Sequence, residues 1–128
     1  MSKRIVIALG GNALGNTAAQ QLELVSLTAK PIVDLIAAGN EVIIAHGNGP
    51  QVGFIMLRSE IARAVAGMHI VPLVSCVADT QGAIGYQIQQ SLDNVLKRRG
   101  LADKTGRTVS LVTQVRVDIA DPGFSDPD

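Results

Sequence analysis

Apolar positions along the chain fall into short runs that end at glycine. Ile5–Leu9 is a continuous apolar run rich in β-branched residues, which predicts a strand covered on both faces, as in a parallel sheet. Val42–Ala45 has the same character and predicts a second such strand. Thr108–Asp118 alternates apolar and polar positions and predicts a third strand with one face less buried. Val71–Val74 predicts a short extended piece of undecided type.

Helical periodicity occupies the stretches between these runs. Thr17 and Gln20 have the spacing of a capping box, and the apolar stripe that follows predicts a helix ending at Gly39. Pro31 lies inside that stripe, so we expect a kink or a restart of the helix there. A second helix is predicted for Pro50–Gly67, because proline is favoured at the first helical position, where its missing N–H costs nothing.

A longer helix is predicted for Ala83–Arg99, whose apolar residues share one face and whose basic residues crowd the last turn. Gly100 is expected to end it. Residues 79–81, with the sequence Asp-Thr-Gln, are expected to cap its start. Gly82 and Gly85 are three positions apart, and we expect them to allow close packing against a neighbouring element.

The order strand, glycine loop, helix occurs twice, which is typical of an α/β fold with a parallel sheet. We expect a three-layer αβα sandwich whose mainly parallel sheet contains Ile5–Leu9, Val42–Ala45 and Thr108–Val117. In such sheets ligands bind beyond the carboxyl ends of the strands. Because Gly10–Asn12 and Gly47–Gly49 both follow strands, we expect these loops to lie close together and to face a common cavity.

Composition narrows the classes of function. The 128 residues can form one domain, and eleven basic residues balance eleven acidic ones, so no net field favours nucleic acid or a membrane surface. One tyrosine and two phenylalanines offer little stacking surface for bases. The single cysteine excludes an internal disulfide, and the N-terminal apolar run is too short for a signal peptide or a membrane span. We therefore expect a cytoplasmic protein.

The glycine loops suit the binding of an anion. Backbone N–H groups at a helix N-terminus, reinforced by the helix dipole, form a neutral anion-binding concavity. Neither loop matches G-x-G-x-x-G or G-x-x-x-x-G-K-[ST], so neither the usual dinucleotide fingerprint nor a Walker loop is present. The alternative is that the glycines only allow tight turns between strand and helix.

Other chemically reactive residues have structural explanations. We expect His46, at a strand end, to be a hydrogen-bonded structural residue, and His69 to lie on the surface. Cys76 has no histidine or second cysteine nearby, so a buried inert thiol is expected. The C-terminal aspartates lack the spacing of a calcium loop and are expected to lie in a solvated loop, so no metal site is predicted.

Two segments resemble the carbamate kinases, a branch of the amino acid kinase family. They are IVIALGGNALG and EVIIAHGNGPQVG, and the similarity continues through VADTQGAIGYQIQQSLDNVL and VTQVRVDIADPGF. The resemblance spans nearly the whole chain and implies that residues 1–128 form the N-terminal, acceptor-side half of an amino acid kinase fold. It places the site for ATP or ADP with Mg²⁺ mostly outside this chain, and residues 79–81 near the rim of the acceptor site.

The resemblance also implies roles for the loops. It assigns the phosphoryl group to Gly10, Gly11 and Asn12, and the carbamate or carbamoyl phosphate side to Gly47, Asn48 and Gly49. Carbamate is already an anionic nucleophile, so the reaction needs no general base, and no catalytic side chain is identified. A role in arginine metabolism and a homodimer are implied as well, the latter formed partly through the small-residue helix predicted for residues 83–99.

Two departures from the wider family matter. Ala8 stands where many relatives carry a lysine, a gap that carbamate kinases share. The motif DPGFSDPD has Asp128 at a threonine position and lacks the functional lysine that follows in carbamate kinases. We therefore expect an incomplete, inactive half of the enzyme. The alternatives are a catalytically inactive interaction or dimerisation module, and an unrelated α/β phosphate-binding domain.

Overall fold

The computed structural model of the chain describes residues 2–10 and 17–126. The main elements alternate strand and helix, as the sequence predicts, and end in a third helix. They are strand β1 (Arg4–Leu9), helix α1 (Ala18–Ala37), strand β2 (Glu41–His46), helix α2 (Gly49–Ala66) and helix α3 (Leu73–Arg98), followed by a 3-10 turn at Pro122–Phe124.

The two strands form a parallel pair. Arg4 lies opposite Glu41 and Leu9 opposite His46, so the strands are in register over their whole length. Helix α1 makes the crossover between them and packs on β2 and α3. The predicted α/β class with a parallel sheet is therefore confirmed.

The core lies on one face of this sheet. Alternate strand residues, including Ile7 and Ile44, pack against the buried faces of α1 and α3. On the other face Val6 and Ile43 are 66% and 50% exposed. The prediction that both faces are covered therefore holds for one face only. No helix among the described residues covers the second face. The described residues therefore include only one of the two helical layers of the predicted sandwich.

Helix α1 begins as its sequence indicates. The Thr17 side chain accepts a hydrogen bond from the Gln20 N–H at 3.2 Å. The helix continues through Pro31 without interruption, so the expected restart does not occur. Pro31 and Leu27 are exposed, and water can replace the N–H that the proline withholds from the Leu27 carbonyl. Helix α2 ends where predicted, at Gly67, which has φ +67° and donates to the Arg63 carbonyl.

Helix α3 begins ten residues earlier than predicted, at Leu73 instead of Ala83. Residues 79–81 lie in its interior and do not cap it. Pro72 occupies the N-cap and makes no side-chain cap bond, so the usual start signal is missing. Gly85 behaves as expected, because a Cβ there would lie 3.1 Å from Ser110 Oγ, whereas the space at Gly82 is open.

The prediction of a third strand is wrong. Thr108–Val117 has no regular secondary structure and belongs to no sheet in the described part of the chain. Gln89 Nε2 donates to the Thr108 carbonyl at 3.0 Å, and Gln81 Oε1 accepts from the Thr113 N–H at 2.8 Å, so the segment lies along α3. A strand needs backbone partners about 4.8 Å away. Here side chains of α3 take their place, and Val115 remains 82% exposed.

Candidate functional site

The parallel register brings the starts of both glycine loops together. Leu9 and His46 are paired at the carboxyl ends of β1 and β2, and the Gly47 N–H donates to the Leu9 carbonyl at 3.0 Å. Gly10 and Gly47 therefore leave the same edge of the sheet side by side. Gly11 and Asn12 lie outside the described residues, so their predicted contacts remain predictions.

Two of the loop glycines have no conformational or packing requirement for glycine within the described chain. Neither Gly10 nor Gly49 has a positive φ. A Cβ added at either position would meet nothing within 4 Å. The interpretation that glycine is needed there only for a tight turn therefore lacks support at these two positions. Both residues keep open space beside the backbone, as close approach of a ligand would require.

Asn48 occupies the N-cap of α2 but does not cap it. Its side chain makes no bond to the first helical turn, whose second residue is Pro50. Instead, Asn48 Nδ2 donates to Thr80 Oγ1 on α3 at 2.8 Å. Thr80 is 2% exposed and its hydroxyl donates to the Val77 carbonyl at 2.8 Å. Sequence reasoning missed this contact because it placed Thr80 before the helix instead of inside it.

The histidines and the cysteine have the structural environments that the sequence predicts. His46 is half-buried, and its Nδ1 lies 3.1 Å from the Gly47 carbonyl oxygen, an acceptor, so the proton of this bond belongs to Nδ1. His69 is exposed. Cys76 is fully buried, with its Sγ 3.7 Å from the Val71 carbonyl oxygen.

Three of the arginines lie away from the loops. Arg4 pairs with Glu41 at 2.8 Å, at the opposite end of the two strands. Arg99, beyond the end of α3, pairs with Asp34 of α1. Arg58 is exposed on α2. The arrangement near Gly10 and Gly47–Gly49 thus offers backbone dipoles and amide groups to an anion, without a neighbouring cation from these pairs.

The described residues contain no group of three or more histidine, cysteine, aspartate or glutamate side chains arranged to hold a metal ion. Two of the C-terminal aspartates instead organise turns. Asp118 Oδ1 accepts from the Ala120 N–H at 3.0 Å, and Asp121 Oδ1 accepts from the Gly123 N–H at 2.9 Å.

A cavity of ≈ 820 Å³ lies between β2 and the segment beside α3 that includes Thr108 and Thr113. It is lined along all of β2, which ends at His46, and by Asn48 of the second loop, but Gly10 is not among its lining residues. The described residues therefore connect the second loop, and not the first, to this cavity. A cavity common to both loops remains a prediction.

Comparison with known proteins identifies the family. The model of the amino acid kinase family matches residues 3–118. The chain belongs to the amino acid kinase family. This kinase family membership excludes the alternative of an unrelated α/β phosphate-binding domain. No helix among the described residues has the length and apolar character needed to cross a membrane.

Individual members of this family are similar over almost the whole chain. The carbamate kinase of Staphylococcus epidermidis is 51% identical over 97% of the chain and 39% of its own length. The Escherichia coli carbamate kinase-like protein YqeA is 50% identical over 99% of the chain and 40% of its own length. The chain thus spans about 40% of the length of the curated relatives that it matches.

Solved structures give the same result for the fold. The Giardia carbamate kinase superposes with a TM-score of 0.87 at 37% identity, over 100% of this chain and 43% of that one. The Giardia lamblia carbamate kinase bound to AMP-PNP, a nucleotide analogue, gives a TM-score of 0.86 at 37% identity, over 98% of this chain and 44% of that one.

Proposed function

We propose that this chain is the acceptor-side part of a carbamate kinase-like phosphotransferase, which interconverts ATP and carbamate with ADP and carbamoyl phosphate. The observation that carries the proposal is the pair of glycine loops leaving one sheet edge, with Gly10 and Gly49 keeping space that the described chain does not use. The carbamate kinase relatives, about 50% identical over nearly the whole chain, support the choice of substrate.

Each loop has a separate task in the proposed reaction. Gly10, Gly11 and Asn12 bind the transferred phosphoryl group, while Gly47, Asn48 and Gly49 bind carbamate at the start of α2. A carbamate oxygen forms the new bond to the γ-phosphorus, and the bond from that phosphorus to the bridging oxygen of ADP breaks. Because carbamate is already anionic, the site aligns the reactants and needs no general base.

The remaining components of the reaction come from outside residues 1–128 in this proposal. Phosphoryl transfer requires cations beside the spreading charge, and the nucleotide binds with Mg²⁺, which neutralises its phosphates. The loops of this chain contain no lysine or arginine. The nucleotide-binding half is therefore assigned to a part of the protein that this chain does not include.

A titration of ¹⁵N-labelled residues 1–128 with carbamoyl phosphate tests the proposal. We expect the largest shifts at the amide signals of Gly10, Asn48 and Gly49, next to the point where both loops leave the sheet, because the Gly47 N–H is already bonded to the Leu9 carbonyl. Urea, which has amide groups but no anion, is the control and should leave these signals unchanged. Shifts confined to other parts of the chain, or equal shifts with urea, would contradict the assignment.

A second candidate is an inactive module that associates with another chain. It is favoured by the second face of the sheet, where Val6 and Ile43 are exposed side by side on paired strands. Two measurements on residues 1–128, alone and mixed with a nucleotide-binding half, would distinguish the two candidates. Sedimentation reports association, and an assay with ADP reports carbamoyl phosphate consumption, which the enzyme proposal requires of the mixture. Association without any turnover would favour the module.

The proposal includes a homodimeric parent enzyme in the cytoplasm that serves arginine metabolism. The buried face of α3, which includes Ile84, Ile88 and Leu92, packs against α1 inside this chain. A dimer formed through α3 would therefore use its exposed side, which carries Tyr86. Sedimentation of the parent at micromolar concentration tests the dimer, and a monomer there would contradict it.

A further inference from the structure

Asn48 is an N-cap residue whose side chain serves another purpose. Asparagine at this position usually accepts a hydrogen bond from the N–H of the second or third helical residue. The second residue of α2 is Pro50, which has no N–H, and no side-chain cap bond is formed. The Asn48 carboxamide instead reaches α3 and donates to Thr80. The side chain is thus held by a residue 32 positions away in the chain.

The Thr80 hydroxyl determines how that carboxamide is oriented. Its own proton is donated to the Val77 carbonyl at 2.8 Å, so only its lone pairs face Asn48. The Asn48 nitrogen must therefore face α3, and its Oδ1 must point elsewhere. Because Thr80 is 2% exposed, water does not readily replace this acceptor. A buried hydroxyl with one fixed donor direction orients the carboxamide more strictly than a surface residue could.

We infer that Thr80 is a positioning residue that presents the Asn48 carboxamide to the amide-bearing end of the acceptor. This inference rests on the proposed function. With one N–H bonded to Thr80, Asn48 retains a second N–H donor and the Oδ1 acceptor. Carbamate and carbamoyl phosphate carry the complementary pair, an oxygen acceptor beside an NH₂ donor. Acetate and acetyl phosphate have a methyl group in place of that NH₂, so they cannot donate to Oδ1.

The test compares Thr80→Val, which removes the hydroxyl at nearly constant volume, with Thr80→Ser, which keeps it. In ¹⁵N-labelled residues 1–128, the Asn48 side-chain NH₂ signals should shift and exchange faster with water in Thr80→Val. They should remain close to those of the unmodified chain in Thr80→Ser. An unmodified chain without a nuclear Overhauser contact between the Asn48 amide protons and the Thr80 methyl group would overturn the inference.

Selectivity separates positioning from a purely structural role. We expect Thr80→Val to weaken carbamoyl phosphate binding about five- to tenfold, the effect of one lost hydrogen bond, and acetyl phosphate binding much less. Thr80→Ser should retain the preference for carbamoyl phosphate. An equal loss for both probes in Thr80→Val would overturn the inference. Should Thr80→Val not fold, Thr80→Ala removes the same acceptor in a smaller side chain.

The two proposals fail in different ways. If the unmodified chain binds neither probe, the proposed function fails for this chain, whereas the Asn48 NH₂ signals still decide whether Thr80 sets the carboxamide. If carbamoyl phosphate binds but Thr80→Val leaves both the NH₂ signals and the selectivity unchanged, the proposed function stands and the role of Thr80 is refuted.

Discussion

A matched pair of glycine substitutions on one helix tests the use of the open space at the start of α2. Gly49 and Gly53 both lie on this helix, neither has a positive φ, and a Cβ at either would meet nothing within 4 Å. Gly49→Ala and Gly53→Ala are therefore equally free of clashes inside the protein. They differ in position, because Gly49 is the first residue of the helix and Gly53 lies one turn further along.

The expected effects on stability and on binding have opposite patterns. Alanine replaces glycine favourably in a helix interior, so Gly53→Ala should stabilise the chain by about 0.5–1 kcal/mol, or about 2–4 °C in Tm. Gly49→Ala should gain less at the helix end. In binding, a methyl group beside the first amide should cost one charge-assisted hydrogen bond of about 1.5–3 kcal/mol. Carbamoyl phosphate affinity should then fall about 10- to 150-fold in Gly49→Ala only.

Thermal unfolding by circular dichroism and an NMR titration with carbamoyl phosphate measure the two effects on the same samples. Equal affinities in Gly49→Ala and Gly53→Ala, with both variants folded, would refute the reasoning that glycine is present at position 49 for the ligand. A loss of affinity in both variants would instead indicate a general effect on α2. Only a selective loss in Gly49→Ala supports the proposed acceptor site.

Three further predictions concern the activity of the chain, the cap of α1 and the hydrogen bond between Gln81 and Thr113. Residues 1–128 alone should not consume carbamoyl phosphate with ADP, because each missing charged donor costs about a hundredfold or more in rate; a rate within about tenfold of a complete carbamate kinase would contradict this. Thr17→Ala should destabilise the chain by about 1 kcal/mol in urea unfolding while Thr17→Ser should not, and equal stabilities would argue against the observed cap. Gln81→Ala should speed hydrogen exchange of the Thr113 amide, because Gln81 Oε1 accepts a hydrogen bond from that N–H. Gln90→Ala should leave this exchange unchanged, because Gln90 bonds to Tyr86 instead.

Local signals explain which elements could be predicted from the sequence. The β1 and β2 strands are continuous apolar runs, and Thr17 and Gly67 mark helix ends through bonds that each residue makes with its near neighbours. Parallel topology then places the loops after Leu9 and His46 at one edge. This part of the candidate site follows from element order alone, without knowledge of any side-chain contact.

The errors arose where distant partners decide the structure. Alternation in Thr108–Val117 does not by itself specify a sheet neighbour, and in the structure glutamine side chains of α3 bond to the backbone of this segment. The start of α3 was missed because Pro72 gives no capping bond and because the buried face continues through Cys76 and Thr80. The hydrogen bond from Asn48 to Thr80 joins the start of α2 to α3, and no local pattern in the sequence predicts it.

The order of the two strands along the chain has a consequence for synthesis on the ribosome. Arg4 and its partner Glu41 are 37 residues apart, and β2 is the sheet neighbour of β1 among the described residues. At about 5–20 residues per second, β1 therefore emerges roughly 2–7 s before the start of β2. All residues of helix α1 are synthesised in that interval. The nascent chain therefore exposes the apolar β1 segment before its partner β2 has been made, and the α1 segment before its partner α3.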